Sequence, residues 1–323
     1  MSCSQCPRQC GLHKNTNTGQ NLSETVYYCG KPENPLLIPF AKGMRHFWEE
    51  PCISGVMGSG TVFFSGCGLG CAFCQNEEIS RKQNPKMTAI TAEQLESELF
   101  KLKDLGCHNI SFVTGSHLTS ELLPVMRHAA QNGLDLPYVW NSSAYETVSQ
   151  IRSLDRCISI YLPDLKFFSP ELSDKVTHAP DYFAIAGKAV IEMMRQRPHN
   201  NYKIYKTQKP GNSGYENKTE LLKEGVLIRH LVLPGFHKDS IKILEWIEAN
   251  LSNQAALSLM SQYIPDFYVK NFQNSGYERI PSLERKVTTF EYDKVVNKAI
   301  SLGFSDVYIQ KKESAAIQFV PEF

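Results

Sequence analysis

The sequence contains no apolar run of the roughly 20 residues that a membrane-spanning helix requires. Its first residues, MSCSQCPRQCGLHK, include no apolar stretch typical of a secretory signal. Net charge is also almost absent, since 34 Lys and Arg residues face 33 Asp and Glu residues. A formal charge of +1 gives no reason to expect nucleic acid or an anionic membrane as a partner. We therefore expect a cytoplasmic protein, in which the ten cysteines do not form a disulfide framework and metal binding or catalysis is favoured. Cys107 and Cys157, which stand alone, are interpreted as small buried hydrophobic residues.

Three of the cysteines lie close together in the segment SGCGLGCAFCQNEEIS. Cys67, Cys71 and Cys74 have the spacing C-x3-C-x2-C, with no fourth ligand at an obvious spacing nearby. Structural zinc almost always takes four protein ligands, and a 4Fe–4S cluster usually takes four thiolates. A cluster held by three thiolates keeps one iron open for a small ligand. The triplet therefore predicts a 4Fe–4S cluster that binds a substrate or cofactor, and the alternatives are a zinc knot or packed thiols.

Four more cysteines lie near the start of the chain. Cys3, Cys6, Cys10 and Cys29 have the spacing C-x2-C-x3-C-x18-C. Four thiolates fill a coordination sphere, which suits structural zinc or an auxiliary 4Fe–4S cluster. We prefer the auxiliary cluster, because an electron relay is reasonable in a chain that is expected to hold another cluster. Zinc is the alternative.

The hydrophobic pattern divides the chain into two parts. Residues 1–60 are rich in Cys, Pro, Gly and Asn without a sustained period, which predicts a loop-rich, metal-binding extension. In 61–323, short apolar segments alternate about six times with helical patterns, such as 89–107 with Thr91 as its N-cap. This alternation indicates βαβ units and a mostly parallel sheet, in a barrel or a doubly wound form. The polar segment 199–224 interrupts it and predicts a surface excursion.

The cysteine triplet has a suggestive place in this pattern. It directly follows TVFFS, residues 61–65, the first apolar segment of the alternation. Ligands of parallel α/β folds bind at the carboxyl ends of the strands. Gly66, Gly68 and Gly70 lie between or beside the cysteines and let the backbone turn tightly around a bulky group.

These residues carry a family resemblance. The triplet, with the aromatic Phe73 before its last cysteine, resembles the cluster motif of the radical S-adenosylmethionine (radical SAM) superfamily. A closer resemblance, to PflX-type homologues of pyruvate formate-lyase activating enzyme, rests on PRQCG, FWEEPCISGVMGSGTVFFSGC, CQNEEIS, IYLPDLKF, IRHLVLPG and LMSQYIP. It extends from the N-terminal cysteines to about residue 265. It implies a partial (β/α)6 TIM-like barrel with an N-terminal cysteine-rich extension.

The resemblance also implies an activity. Enzymes of this superfamily bind S-adenosylmethionine to the open iron and cleave it reductively to a 5′-deoxyadenosyl radical. The activase-like members abstract hydrogen from a protein or peptide substrate. The implied electron donor is a protein of the flavodoxin or ferredoxin type. Two alternatives stay open: a radical SAM enzyme acting on a small molecule, and a non-enzymatic iron–sulfur electron-transfer protein.

Candidate cofactor contacts follow from the same resemblance. Thr114 and Gly115, in VTGSHLT, stand where activating enzymes have a Gly-rich motif that receives the amino group of S-adenosylmethionine, although the acidic residue of that motif is missing. Asn141 and Ser143, in NSSAY, suit a ribose or a carboxylate, or alternatively cap a helix. Arg229 matches an arginine that lies near the cofactor carboxylate, a role suited to its bidentate geometry.

Three further residues are candidates because of their place in apolar segments. Asp164 and Lys166, in YLPDLKF, should share one face of a strand, because side chains alternate between the faces. Charges inside a barrel are costly unless they meet a ligand or each other, so we expect a cofactor-binding role for both. His230 is a further candidate contact, or alternatively a packed histidine.

The segment EEPCISG, just before the first apolar strand, contains a candidate catalytic residue. Cys52 is a possible reactive thiol near the radical site, and the alternative is a buried residue that braces the cluster loop. Glu49 and Glu50 beside it are interpreted as a solvated pair. His46 and Trp48 are candidates for the entrance of the substrate site.

Overall fold

The computed structural model describes residues 5–9, 29, 34, 36–47, 49–80, 88–208, 216–251, 254–275 and 277–310. The predicted metal ligands Cys3 and Cys10 lie outside these residues, as do Trp48 and part of the predicted excursion at 199–224. None of the helices in the described ranges is long and apolar enough to span a membrane.

Within the described ranges, ten strands form one sheet. They are β1 (Ile38–His46), β2 (Ser59–Phe64), β3 (Thr88–Ile90), β4 (Ile110–Val113), β5 (Tyr138–Ser142), β6 (Ile160–Pro163), β7 (Asn201–Gln208), β8 (Glu216–Leu231), β9 (Ala256–Met260) and β10 (Val307–Ile309). Their order across the sheet is β10-β9-β8-β6-β5-β4-β2-β1-β3, and β7 pairs with β8 off this path.

Most of the sheet is parallel. The pairs β2–β4, β4–β5, β5–β6, β6–β8, β8–β9 and β9–β10 all run parallel. Strand β1 runs antiparallel to both β2 and β3. Among the described residues β10 and β3 do not pair, so the barrel stays open along one side. The architecture is the α/β partial TIM-like barrel that the sequence predicts.

Helices lie between most of the successive strands. They are α1 (Pro51–Ser54), α2 (Glu77–Ser80), α3 (Ala92–Asp104), α4 (Thr119–Gln131), α5 (Val148–Ser153), α6 (Pro170–Thr177), α7 (Tyr182–Gln196), α8 (His237–Leu251), α9 (Pro265–Ser275) and α10 (Thr289–Ser301). Thr91 caps α3 as predicted. Its hydroxyl accepts from the Gln94 amide, and the Gln94 side chain accepts from the Thr91 amide, which forms a complete capping box.

Side-chain alternation along the strands separates the outer core from the barrel interior. In β5, Trp140 is buried in the large apolar cluster between sheet and helices, whereas Val139 joins a small apolar cluster inside the barrel. That inner cluster also contains Cys52 and Ile53 of α1 together with Ile160, Leu222, Leu227 and Ala256. Asn141, two residues further along β5, lies on the same face and lines a cavity. The interior is therefore apolar near the strand starts and polar near their carboxyl ends.

Two segments differ from the sequence-based expectation. Residues 38–46, expected to be part of a loop-rich extension, form β1 and pair with β2. A register shift between Phe40 and Lys42 interrupts the pairing, and such a bulge disturbs the two-residue period that would have revealed the strand. The polar excursion forms the antiparallel hairpin of β7 and β8 in its described part, not a loop. The metal-binding role assigned to 1–60 stays a prediction.

Gly66 shows where the N-terminal segment lies. It turns the chain at the end of β2 with a φ of 85°, and a Cβ there would overlap the carbonyl oxygen of Cys29. Gly133, which follows α4, has a φ of 94° but open space around its Cα. The two glycines therefore share a left-handed backbone and differ in whether another segment packs against them.

We expect Gly66→Ala to lower the free energy of unfolding more than Gly133→Ala does. Left-handed backbone costs a non-glycine residue about 1–2 kcal/mol at either position. At Gly66 the contact with Cys29 adds to that cost, because the two atoms cannot occupy the same space. Urea denaturation of both variants measures the difference. Equal losses would contradict the packing of Cys29 against this turn.

Candidate functional site

A cavity of about 510 Å³ lies at the carboxyl ends of the parallel strands. All three cysteines of the triplet line it. Seven of the predicted cofactor-binding residues line it as well: Phe73, Thr114, Asn141, Ser143, Asp164, Lys166 and Arg229. Residues that are far apart in the sequence therefore line the same cavity. This agrees with the prediction that the triplet, which follows β2, lies at the carboxyl ends of the strands.

The loop that carries the triplet is held by its surroundings. Arg8, from the N-terminal segment, donates from Nε to the carbonyl oxygen of Gly68 at 2.9 Å. The hydroxyl of Tyr277 donates to the carbonyl oxygen of Gly70 at 2.5 Å. These bonds fix the loop from two sides, so its conformation does not depend on the loop residues alone.

Burial opposes ionisation of two thiols in this loop. Burial raises the pKa of Cys71 to about 12 and also raises the pKa of Cys74, so both thiols need a cation to become thiolates. In the described part of the chain, no group of three or more His, Cys, Asp or Glu side chains is placed to hold one metal ion. Three thiols in one loop are one short of the four protein ligands that structural zinc takes, and they suit a 4Fe–4S cluster with one open iron.

A row of hydrogen-bonded polar side chains crosses the cavity wall. Lys166 Nζ donates to Asp164 Oδ2 at 2.7 Å, and Arg229 Nε donates to Asp164 Oδ1 at 2.8 Å. Arg229 Nη2 donates to Asn141 Oδ1 at 2.6 Å, and Asn141 Nδ2 donates to Glu49 Oε1 at 3.2 Å. We call these five residues, Glu49, Asn141, Arg229, Asp164 and Lys166, the polar row. It joins four separate segments of the chain.

Charge pairing keeps Asp164, Lys166 and Arg229 of the polar row ionised. Burial raises the pKa of Asp164, but Arg229 and Lys166 outweigh burial and hold it below its usual value. Burial likewise lowers the pKa of Arg229, yet the Asp164 carboxylate outweighs it and the pKa is raised. Asp164 and Lys166 share one face, as the alternation predicts, and they meet each other. Their contact with a cofactor stays a prediction.

Thr114 lies at the edge of the cavity in an unusual conformation. Its φ is 59°, a left-handed backbone that a β-branched residue rarely adopts and that is found mainly at functional sites. Its amide donates to the carbonyl oxygen of Asn141 at 3.0 Å, which links the ends of β4 and β5. Gly115 lies behind the wall, where a Cβ would crowd Leu122 and Trp140. Gly115 therefore allows close packing and does not line the cavity.

The helix-cap interpretation of Asn141 and Ser143 is wrong. Helix α5 is capped by Thr147, whose hydroxyl accepts from the Gln150 amide at 3.2 Å. Asn141 belongs to the polar row, and the Ser143 carbonyl accepts from the Tyr182 hydroxyl at 2.9 Å. Both residues remain available to a ligand in the cavity that they line.

Two other predicted residues lie away from the cavity wall. His230 is buried, its Nδ1 is 2.6 Å from the Leu165 carbonyl oxygen, and burial lowers its pKa to about 4. Cys52 lies in the inner apolar cluster, where burial raises its pKa to about 12. His230 matches its alternative interpretation, a packed histidine. Cys52 is buried as its alternative expects, but its apolar cluster contains no residue of the cluster loop, so the bracing of that loop is not seen. Their roles in cofactor binding and catalysis stay predictions.

The sequence did not predict that Glu49 and Glu50 line the cavity. Both line the cavity, and Glu50 is only 8% exposed, so their interpretation as a solvated pair is wrong. Burial raises the pKa of Glu49 to about 7, while Arg229 opposes this shift and Glu50 adds to it. No periodicity marks these residues as buried. The proline that follows them, at the start of α1, is the only local signal that the chain turns inward here.

The raised pKa of Glu49 predicts a pH-dependent cost to stability. Below its ordinary value of 4.5 the carboxyl group is protonated in both states and costs nothing. Between pH 4.5 and about 7 only the unfolded state ionises, so stability is lost as the pH rises. We expect Glu49→Gln to raise the free energy of unfolding over the wild type by up to about 3 kcal/mol at pH 8 and by little at pH 4.5.

Urea denaturation of the two proteins across this pH range measures the effect. Glu248→Gln is the matched control, because Glu248 lies on the exposed face of α8. A gain for Glu49→Gln that does not change with pH would contradict the burial of an ionisable group at this position.

Comparison with known proteins gives a family match for part of the chain. Residues 61–205 match the model described as the radical SAM superfamily. An uncharacterised protein of Methanocaldococcus jannaschii is 26% identical over 313 residues, which are 95% of this chain and 77% of that protein. The matched segment 61–205 includes the triplet, Asn141 and Asp164, and it excludes Glu49 and Arg229.

Solved structures of low sequence identity also resemble the chain. A domain of pyruvate-formate lyase-activating enzyme from Bacteroides vulgatus has a TM-score of 0.40 at 9% identity, covering 63% of this chain and 99% of that one. The FeFe-hydrogenase maturase HydG from Carboxydothermus hydrogenoformans has a TM-score of 0.49 at 13% identity, covering 77% of this chain and 52% of that one. The chain thus spans about half the length of the maturase.

Proposed function

We propose that this chain, whose residues 61–205 match the radical SAM superfamily model, is a radical SAM enzyme. In this proposal it cleaves S-adenosylmethionine reductively and abstracts hydrogen from a protein or peptide substrate. The proposed relationship is to PflX-type homologues of pyruvate formate-lyase activating enzyme. The observation that carries the proposal is that Cys67, Cys71 and Cys74 line the same cavity as the polar row. When bound, a 4Fe–4S cluster supplies the electron that cleaves the sulfonium and so generates the hydrogen-abstracting radical.

The cysteine loop would hold the cluster. Its three thiols supply fewer thiolates than a fully ligated cluster takes, which leaves a position for S-adenosylmethionine. Phe73, within the loop, packs against Phe167 at a ring separation of 6.0 Å and against Tyr263 at 5.8 Å. This packing holds the loop close to the barrel, so that the cluster site faces the cavity.

The polar row would bind and orient S-adenosylmethionine. Arg229 and Lys166 offer positive charge to its carboxylate, and Asp164 offers an acceptor to its amino group. Asn141 and Ser143, at the end of β5, are suited to the ribose hydroxyls. Because the row is held by its own hydrogen bonds, these groups need little rearrangement when the cofactor enters.

Apolar side chains complete the wall and limit access by water. Leu69, Val113, Met260 and Ile264 line the cavity beside the polar groups. A highly reactive radical needs such shielding, because water and stray side chains would otherwise divert it.

The N-terminal cysteines are proposed to hold a second metal centre, an auxiliary iron–sulfur cluster or zinc. The support comes from the two that lie in described residues, Cys6 and Cys29, which are both buried. A Cβ on Gly68 would lie 3.9 Å from the Cys6 sulfur, so this cysteine borders the cluster loop. An auxiliary cluster here would lie between the first cluster and a flavodoxin- or ferredoxin-like electron donor, which we propose acts in the cytoplasm.

Formation of 5′-deoxyadenosine tests the proposed function. The protein is reconstituted with iron and sulfide under anaerobic conditions, reduced with dithionite and supplied with S-adenosylmethionine. We expect the wild type to form the product and Cys71→Ala to form at least tenfold less, because two thiolates do not hold the cluster. Cys107→Ala is the control, since Cys107 is buried away from the cavity lining.

Two outcomes would contradict the proposal. One is equal product from Cys71→Ala. The other is no product from a wild type whose cluster is intact and reduced, tested with and without cell extract as a source of substrate. If the protein fraction of that extract increases 5′-deoxyadenosine formation, the substrate is a protein or peptide. If only the low-mass fraction increases it, the substrate is a small molecule, and this part of the proposal is wrong.

A further inference from the structure

Glu49 and Glu50 place two carboxyl groups on the cavity wall outside the family-matched segment. They lie between β1 and α1, where the chain enters the open barrel. The cysteine triplet and Asp164 belong to the segment 61–205 that matches the superfamily. The two glutamates lie outside this segment and before the cysteine loop, and the proposed binding of S-adenosylmethionine does not use them.

Each glutamate has one buried oxygen without a hydrogen-bond partner in the described part of the chain. Glu49 accepts from Asn141 Nδ2 at 3.2 Å and from Ser111 Oγ at 3.4 Å, both at Oε1. Its Oε2 has no donor, and neither has Oε2 of Glu50. Glu50 is only 8% exposed, so water does not readily replace the missing donor. Two unsatisfied carboxylate oxygens in one cavity indicate a ligand that donates hydrogen bonds.

In the described part of the chain, Arg229 is the cation that acts on these carboxyl groups, and it does so from a distance without a hydrogen bond to either. Arg229 and Lys166, the two basic residues of the lining, both bond to Asp164. Among the described residues, the hydrogen bonds of Arg229 go to Asp164 and Asn141 and not to either glutamate. His46 also lines the cavity, but burial and then Arg229 lower its pKa to about 4, which leaves it neutral. Among the described residues neither glutamate is hydrogen-bonded to a cation, so a positively charged ligand would find two acceptors here.

We propose that Glu49 and Glu50 form a subsite that binds a primary ammonium group of the substrate. The inference rests on the proposed function, and it narrows the protein or peptide substrate to one that presents a lysine side chain or a free amino terminus to the cavity.

The ammonium group fits better than the guanidinium of arginine. An ammonium donates three bonds in separate directions, which suits two oxygens on different side chains. A guanidinium favours both oxygens of one carboxylate, and Oε1 of Glu49 already accepts two bonds. The two unpaired oxygens belong to different side chains, which favours a compact cation over a planar one.

Binding of amine probes to the protein with its oxidised cluster and S-adenosylmethionine tests the proposal without turnover. Nα-acetyl-lysine amide represents a lysine side chain, and glycyl-glycinamide represents a free amino terminus. Their fully acetylated forms are the neutral controls. Isothermal titration is expected to show binding of at least one amine, no binding of its acetylated form, and at least tenfold weaker binding to Glu49→Gln and Glu50→Gln. Glu248→Gln is the matched control and should bind as the wild type does.

The same titrations identify the source of the ammonium group. Binding of the lysine probe indicates a side chain, and binding of the glycyl probe indicates an amino terminus. Failure of both amines to bind, equal binding of acetylated probes, or full amine binding by both glutamine variants would overturn the proposal. Weaker binding of S-adenosylmethionine to the variants, with amine binding unchanged, would also overturn it, because the carboxylates would then serve the cofactor.

A measurement on the wild type alone tests the subsite even if the variants fold poorly. Nα-acetyl-lysine amide keeps its charge between pH 6 and 8. Glu49, which is faced by Arg229, Glu50 and His46, becomes protonated in this range. We expect the affinity for the lysine probe to fall severalfold from pH 8 to pH 6. If glycyl-glycinamide is the amine that binds, its affinity should fall likewise after correction for its own ionisation. A flat profile would overturn the role of Glu49. Loss of 5′-deoxyadenosine formation, by contrast, would count against the proposed function and not against this subsite.

Discussion

The mutual pairing of Asp164, Arg229 and Lys166 is the interaction on which the cavity depends. Inside a barrel an isolated charge is costly, because little water is present to solvate it. Here one carboxylate accepts from two cations at 2.7 and 2.8 Å, so all three groups stay ionised without a ligand. The chain can therefore keep a polar surface at the carboxyl ends of its strands while the same strands bury apolar side chains below.

The two layers of the interior support each other. The inner apolar cluster, with Ile53 of α1 at its centre, fills the barrel near the strand starts. Above it, the polar row joins residues from β5, β8 and the segments after β1 and β6 by direct hydrogen bonds. Since these bonds connect distant parts of the chain, the site is defined by the sheet as a whole and not by any one loop. The cysteine loop, fastened by Arg8 and Tyr277, then faces this fixed wall.

The sequence predicted those features that have a local signature. The spacing of the cysteine triplet, the alternation of strands and helices, and the Thr91 cap each depend on residues within one segment. Asp164 and Lys166 were found for the same reason, because charges that alternate with apolar residues on a strand are conspicuous. The segment of β1 was missed because a bulge near Phe40 disturbs its period. Glu49 and Glu50 were missed because their burial results from the path of β1 and α1 across the barrel.

The proposed function depends on three thiolates that hold a cluster with an open iron. S-adenosylmethionine is proposed to bind at this iron. Electron paramagnetic resonance of the reduced, reconstituted protein tests it most directly. The spectrum is recorded before and after addition of S-adenosylmethionine, and the signal of interest is the one that Cys71→Ala lacks. We predict that this signal shifts and that the shift saturates as the site fills. A signal that is present but unchanged at saturating S-adenosylmethionine would contradict the claim.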